Sequence, residues 1–266
     1  MRLNRFLAAA GIGSRRQCDQ LIADGRVTIN GQRCTDFSVQ PTPQDHVKVD
    51  GRIVHLDSPM TIALNKPAGF VSTRRDPHTR DTIFDLLPAK FPRLFNVGRL
   101  DALSEGLLIL TNDGELSQRL THPRYKVNKE YEVILDRPWD PALTSKLIRG
   151  ISLDGQHAQI ARLHTSTPTR LHVVLRQGIN RQIRRMFEAV GYKVTRLVRV
   201  RIGNLRLGDL PRGHWRALTK SELTSLQQAP GGRPPARSLR RGASSSPSPR
   251  LSGAGGRDAK PASRAR

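Results

Sequence analysis

Apolar positions near the start of the chain follow a helical period twice and then a strand period. They recur at helical spacing over residues 2–10, and again behind Ser14, a residue type that caps helices. Val27–Ile29 has the composition of a strand, Asn30-Gly31 is a hairpin turn, and Val47–Val49 is a later strand. Two short helices and a small sheet are therefore predicted within roughly the first fifty residues.

A continuous run of aliphatic and β-branched side chains covers residues 107–111 and is typical of a strand buried on both faces. A polar loop precedes it, and a loop that feeds a buried strand is a rigid mount for a reactive group. Asp101 is the candidate, because Gly98 and Gly106 allow the backbone to approach a ligand and Arg99 can hold a carboxylate ionised. The alternative is that Asp101 only caps a turn.

Strand and helix patterns alternate irregularly through the rest of the chain. Strands are predicted at 61–64, Lys129–Leu135 and Val194–Ile202, with two or three more within 151–176. Helices are predicted at 115–121, within 138–149 and after Gln177-Gly178. Because regular strand–helix–strand units are missing, the pattern predicts an α+β domain with a mixed, mainly antiparallel sheet flanked by helices.

Charge narrows the choice of partner. The 266 residues include 45 Lys and Arg against 22 Asp and Glu, a net charge of +23, which favours nucleic acid or a membrane surface. No apolar stretch approaches the roughly 18 residues of a membrane span, and the charged start lacks a signal-peptide core. We therefore expect a cytoplasmic nucleic-acid-binding protein that does not bind membranes. Two isolated cysteines indicate neither a disulfide framework nor a metal site.

Residues 98–114 resemble the signature of pseudouridine synthases of the RsuA/RluB type, in which G-R-L-D precedes G-L-L-L-x-T-N-D-G. Two further stretches resemble the family's K-x-Y-x-V strand and its G-x-N-R-Q-I-R-R-M motif, and a third its R-L-x-R segment. The resemblance implies that Asp101 is the nucleophile, that Tyr131 stacks on the target base and that Arg184 forms an ion pair with Asp101. It places Leu197 in the uracil pocket, where we also expect Arg99, and implies no metal and no cofactor.

The amino-terminal segment resembles the S-four-type RNA-binding domain, through G-x-x-S-R-R at residues 11–16 and D-G-R-V-x-x-N-G at residues 24–31. We expect RNA-phosphate contacts from six basic residues: Arg15, Arg16, Arg26, Lys66, Arg181 and Arg185. The predicted division is an RNA-binding module at 1–52, a linker at 53–60, a catalytic domain at 61–226 and a disordered basic tail rich in Gly, Pro, Ser and Arg at 227–266.

Together these resemblances imply a monomeric enzyme that isomerises a specific uridine of ribosomal RNA to pseudouridine. The run at residues 210–213 and the basic tail resemble the RluB branch, so the expected target is large-subunit (23S) rRNA. Small-subunit (16S) rRNA is one alternative. A non-catalytic rRNA-binding assembly factor is another, and it would not require Asp101, Tyr131 and Arg184 to converge in one cleft.

Overall fold

The computed structural model describes residues 1–74, 76–78 and 80–228, which all fall within one compact unit. The tail predicted for residues 227–266 lies outside the described residues from 229 onwards. Its first two residues, Gln227 and Gln228, instead end the last helix of the structure.

The amino-terminal module is built as the sequence predicts. Its helices are α1 (Leu3–Ala9) and α2 (Arg15–Ala23), and Ser14 and Gln17 form a capping box at the start of α2. Strands β1 (Val27–Ile29), β2 (Gln32–Arg33), β3 (Val47–Val49) and β4 (Arg52–Ile53) form an antiparallel sheet in the order β2-β1-β3-β4. Because β4 reaches Ile53 and Val54 is buried in the same core, the segment that leaves the module begins two residues later than predicted.

The second part of the chain forms a nine-stranded sheet in the order β11-β12-β8-β13-β7-β5-β15, with β14 beside β13 and β6 beside β7. Only β7 and β13 pair in parallel among the named strands that the structure describes, so the predicted mixed, mainly antiparallel sheet is confirmed. The strands are β5 (Thr61–Lys66), β6 (Phe95–Val97), β7 (Glu105–Thr111), β8 (Lys129–Leu135), β11 (Arg162–Thr167), β12 (Arg170–Leu175), β13 (Val194–Ile202), β14 (Leu205–Arg206) and β15 (Trp215–Ala217), with a separate hairpin of β9 (Ile151–Leu153) and β10 (Gln156–Ala158).

Helices cover both faces of this sheet. They are α3 (Gly114–Thr121), α4 (Thr144–Arg149), α5 (Gln182–Glu188) and α6 (Lys220–Gln228). One apolar core joins α4 and α5 to the face of β7 that carries Leu108 and Leu110. A second core joins α3 and α6 to the face that carries Leu107 and Ile109. The prediction that residues 107–111 form a strand buried on both faces is therefore confirmed.

The sheet forks along one edge of β7. Strand β5 pairs with the other edge over residues 106–111, so β13 and β6 must share the remaining edge. There β13 pairs with Glu105 and Gly106, whereas β6 pairs with residues 109–111. The Leu107 carbonyl lies between the two and accepts a hydrogen bond of 2.7 Å from Nε of Arg199.

Gly106 is required by this fork. Its φ is +100°, and a Cβ at this position would lie 2.4 Å from the Arg199 carbonyl oxygen. The backbone that approaches Gly106 is thus that of β13, and the expectation that this glycine admits a ligand is wrong. The sequence contains the glycine but does not show which backbone it accommodates.

We expect Gly106→Ala to lower the free energy of unfolding by more than about 3 kcal/mol, because it combines a positive φ with a clash against the β13 backbone. Gly69→Ala is the matched control, since Gly69 has a φ of +95° but open space around its Cβ position. That control should cost about 1–2 kcal/mol. Urea unfolding of both variants tests the clash, and equal losses would contradict it.

Candidate active site at the start of the central strand

Asp101 lies in the loop that enters β7 and is partly exposed. Two hydrogen bonds hold the backbone at Asp101 and at the residue before it. Ser104 N–H donates to the Asp101 carbonyl at 3.0 Å, and the Ser72 hydroxyl donates to the Leu100 carbonyl at 2.9 Å. In the part of the chain that the structure describes, no group donates a hydrogen bond to the Asp101 carboxylate. The side chain therefore does not cap a turn, and its oxygens are left available.

Lys66 holds this loop from the inside. Its side chain is completely buried, and Nζ donates to the carbonyls of Pro67 (3.0 Å), Ala102 (3.2 Å) and Ser104 (2.8 Å). The Ala102 carbonyl also accepts a hydrogen bond of 2.8 Å from Gly69 N–H. The predicted RNA contact by Lys66 is therefore wrong, because a side chain without accessible surface cannot reach a phosphate.

Burial lowers the pKa of Lys66 from 10.5 to about 8. The charges of Asp101 and Glu105 oppose this shift, and the charge of Arg199 adds to it. Lys66 is thus a buried cation that is electrostatically coupled to the candidate nucleophile.

Arg184, on α5, holds the same loop from the opposite direction. Nη2 donates to the Leu103 carbonyl at 3.0 Å and Nη1 to the Val194 carbonyl at 2.8 Å. Burial, and then the charge of Arg181, lower the pKa of Arg184, while the charge of Asp101 raises it. Within the described ranges no ion pair of 4.0 Å or less joins Arg184 to Asp101, so this structure does not contain the expected contact. The role of Arg184 as the ion-pair partner of Asp101 stays a prediction.

Glu105, the first residue of β7, provides a third connection. Its carboxylate accepts hydrogen bonds from Arg196 at 3.0 and 3.3 Å and lies 3.1 Å from Nε of Arg212. Burial opposes the charge on Glu105, but the hydrogen bond and charge of Arg196, together with Arg212, hold its pKa below the ordinary value. Glu105 thereby joins the start of β7 to β13 and to the segment around residue 212.

Tyr131 and Leu197 lie on neighbouring strands. Tyr131 on β8 is opposite Arg199 on β13, Arg199 is opposite Gly106 on β7, and Gly106 is opposite Lys66 on β5. Tyr131 is therefore two strands, or about 10 Å of backbone, from Gly106. Leu197 is opposite Val133, the next position along β8 on the same face as Tyr131. Both side chains are buried.

Arg199 was missed by the sequence reasoning. It is only 2% exposed, and apart from its bond to Leu107 its Nη2 is buried without a hydrogen-bond partner among the described residues. The available signal was its position in β13, two residues after Leu197 and between Val198 and Val200. An arginine at an inward-facing strand position indicates a specific structural role.

The remaining basic residues that were predicted to contact RNA or to line the pocket differ in their partners and in their exposure. Arg26 forms an ion pair with Asp50, and Arg185 forms an ion pair of 2.7 Å with Asp154, so both already have carboxylate partners. The other four are exposed, and their expected roles stay predictions: Arg15, Arg16, Arg99 and Arg181.

No cluster of three or more His, Cys, Asp or Glu side chains suited to a metal ion occurs in the described ranges. Over the same residues, no helix is both long enough and apolar enough to cross a membrane.

Comparison with known proteins covers both parts of the chain. Residues 60–189 match the RNA pseudouridylate synthase family, and residues 1–47 match the S4 domain. An uncharacterised RNA pseudouridine synthase of Aquifex aeolicus is 39% identical over 237 residues, which are 87% of this chain and 95% of the relative. The dual-specificity RNA pseudouridine synthase RluF of Escherichia coli is 40% identical over 233 residues, 85% of this chain and 78% of the relative. A crystal structure of a pseudouridylate synthase matches with a TM-score of 0.63 at 31% identity, covering 85% of this chain and 99% of the other.

The burial of Lys66 makes a prediction about stability and pH. Between about pH 8 and 10.5, Lys66 is mostly neutral in the folded protein but protonated in the unfolded chain. The unfolded state then binds more protons, so this residue makes stability rise with pH, by up to about 1.4 kcal/mol per unit. Its contribution is complete above about pH 10.5 and is lost as the pH falls to about 8.

The measurement is urea unfolding of the wild type and Lys66→Met across this pH window. Lys129 has a pKa lowered to about 8 by burial and contributes the same sign, so the difference between the two proteins isolates Lys66. Parallel pH profiles for the wild type and the variant would contradict the prediction.

Proposed function

The chain belongs to the RNA pseudouridylate synthase family, and from this premise we propose that it isomerises a specific uridine of ribosomal RNA with Asp101 as the nucleophile. The reaction breaks the bond between C1′ of ribose and N1 of uracil and forms one between C1′ and C5. The proton on C5 is lost to solvent and N1 regains one, so atoms and charge balance. The chemistry needs an ionised nucleophile, a pocket in which the base can turn and a path for the C5 proton.

One observation carries the assignment of Asp101. Its carboxylate accepts no hydrogen bond from the described residues, whereas Lys66 and Arg184 bind the carbonyls of the three residues that follow it. The loop is thus fixed through its backbone and presents free carboxylate oxygens. Lys66 and Arg184 are the cations whose pKa values respond to the charge of Asp101. Attack on ribose, attack on the base and assistance of elimination all need an anionic carboxylate.

Tyr131 and Leu197 are the proposed walls of the base pocket. An aromatic ring can hold the detached uracil by stacking, and an apolar side chain leaves the base free to turn without competing hydrogen bonds. We propose that Arg99, which is exposed and lies two residues before Asp101, borders the entrance of this pocket. Because Asp101 is only partly exposed, the target uridine must leave its stack to reach it.

The proposed substrate class is supported by the net charge of +23 and by the amino-terminal module. Within ribosomal RNA we propose a 23S target, with 16S as the alternative, and a monomeric enzyme that acts in the cytoplasm. The relative from Escherichia coli carries the name RluF, so the RluB branch remains a proposal. The 210–213 run that suggested it has a structural role here, since Leu210 and Gly213 bond to Asn65 and Arg212 pairs with Glu105. Family membership favours an enzyme over a non-catalytic assembly factor.

We expect Asp101→Asn to abolish isomerisation while RNA binding stays at least as tight as in the wild type. Asparagine keeps the shape but has no anionic oxygen, and losing a negative charge removes repulsion from the RNA. Tritium release from uridine labelled at C5 and filter binding on the same rRNA fragment measure the two properties. Asp209→Asn, at an exposed position, is the matched control and should retain activity. Release by Asp101→Asn within tenfold of the wild type would show that Asp101 is not the nucleophile.

A separate experiment addresses the target. In a strain that lacks this protein, mass mapping of rRNA should show one missing pseudouridine in 23S rRNA, and a plasmid copy of the wild type should restore it. A missing pseudouridine in 16S rRNA would establish the alternative. Unchanged modification of both rRNAs would contradict the proposed substrate.

A further inference from the structure

A cleft of about 580 Å³ lies between the amino-terminal module and the catalytic domain, at a place that the proposed mechanism does not use. Ser14 and Gln17 at the start of α2 line one side, and Thr73, Arg74 and Arg93 line the other. The two parts of the chain therefore contribute to one concave surface. All five lining side chains are polar or positively charged, and none is a carboxylate.

The two walls are in close contact beside this cleft. Gly11, in the turn between α1 and α2, has a φ of +78°, and a Cβ there would lie 3.7 Å from Cβ of Arg93. The same Cβ would lie 3.5 Å from a carboxylate oxygen of Asp57. Arg93 is thus packed where the module meets the catalytic domain.

The arginines of the cleft lack a negative partner. Arg93 forms no ion pair or hydrogen bond with any described residue, and Asp57 is not within 4.0 Å of either guanidinium. Arg74 bonds the Leu94 carbonyl and lies over the Phe84 ring at 4.3 Å. Burial, and then the charge of Arg93, lower the pKa of Arg74, and both arginines line the same cleft. Two neighbouring guanidinium groups without a carboxylate favour an anion between them.

We propose that this cleft binds a phosphodiester group of the RNA, held by Arg93 and Arg74 from the catalytic domain and bordered by the start of α2. The proposal rests on the RNA substrate of the proposed function. Guanidinium groups match phosphate oxygens in shape and charge, and the exposed Arg15 and Arg16 continue the positive surface along α2. The amino-terminal module therefore forms one wall of an RNA site that it shares with the catalytic domain, and is not only a separate RNA-binding module.

Arg93→Gln tests the catalytic-domain wall. Removing one phosphate contact should weaken binding of an rRNA fragment by about five- to tenfold and lower the slope of log affinity against log salt by about 0.7–0.9. Arg162→Gln, at an exposed arginine on β11, is the matched control and should change neither quantity. Filter binding at several salt concentrations measures both.

Gln17→Glu tests the module wall without loss of the fold. Gln17 accepts a hydrogen bond of 2.8 Å from Ser14 N–H in the capping box, and glutamate can replace it in that role. The variant should thus be as stable as the wild type but bind RNA several-fold more weakly, since it adds a carboxylate to the cleft. Gln118→Glu makes the same change at an exposed position on α3 and should bind RNA normally.

Weaker binding by both cleft variants, with normal controls, is the expected result. Affinities and salt slopes within twofold of the wild type for both Arg93→Gln and Gln17→Glu would overturn the proposal. The readout of these experiments is RNA binding. A wild-type protein that binds rRNA without isomerising uridine would therefore contradict the proposed function but not the proposed phosphate site.

Discussion

The structure of the candidate active site depends on one buried ammonium group. Lys66 is the last residue of β5, and its Nζ donates three hydrogen bonds to backbone carbonyls. Two of these carbonyls belong to the loop that carries Asp101. Burying a cation is unfavourable unless its hydrogen bonds are made. If the loop left this position, the ammonium group would either become exposed to solvent or stay buried without its hydrogen-bond acceptors. The strand pairing of Lys66 with Gly106 fixes where the ammonium lies. The central sheet thereby determines the position of the candidate nucleophile.

The other connections to this loop repeat the same arrangement. Arg184 joins Leu103 to Val194 through two carbonyls, and Glu105 joins the start of β7 to Arg196. Each contact holds the loop by its backbone or by a residue other than Asp101. The backbone that carries Asp101 is consequently held in position, while the carboxylate is free of hydrogen bonds from the described residues. A nucleophile needs both properties, whereas a turn-capping aspartate has only the first.

Strong local patterns were sufficient to predict much of the fold. Alternation and β-branched composition predicted 129–135 and 194–202, which coincide with β8 and β13, and the apolar run predicted a strand buried on both faces. The short elements β6, β14 and β15 were not predicted, because two or three residues carry too little periodicity and form only by pairing with a longer strand.

The site was predictable in its residue types but not in its contacts. The family resemblance identified Asp101, Tyr131 and Arg184, whereas nothing in the sequence distinguishes a buried lysine at a strand end from an exposed one. The partners of Lys66 and Arg184 are backbone carbonyls, and residue identity does not encode which carbonyl a cation will reach. For the same reason Arg199, which bonds Leu107 at the fork of the sheet, could not be assigned a role.

The central claim is that Lys66 supports catalysis by holding the Asp101 loop and not by contacting RNA. The most direct test compares turnover and RNA affinity for Lys66→Met, with near-ultraviolet circular dichroism to show that the variant is folded. We expect turnover to fall by about a hundredfold or more, since small displacements of a reacting group have effects of this size. RNA affinity should stay within about threefold of the wild type, because the side chain has no accessible surface. A variant that turns over normally, or that loses affinity in proportion to turnover, would contradict the account.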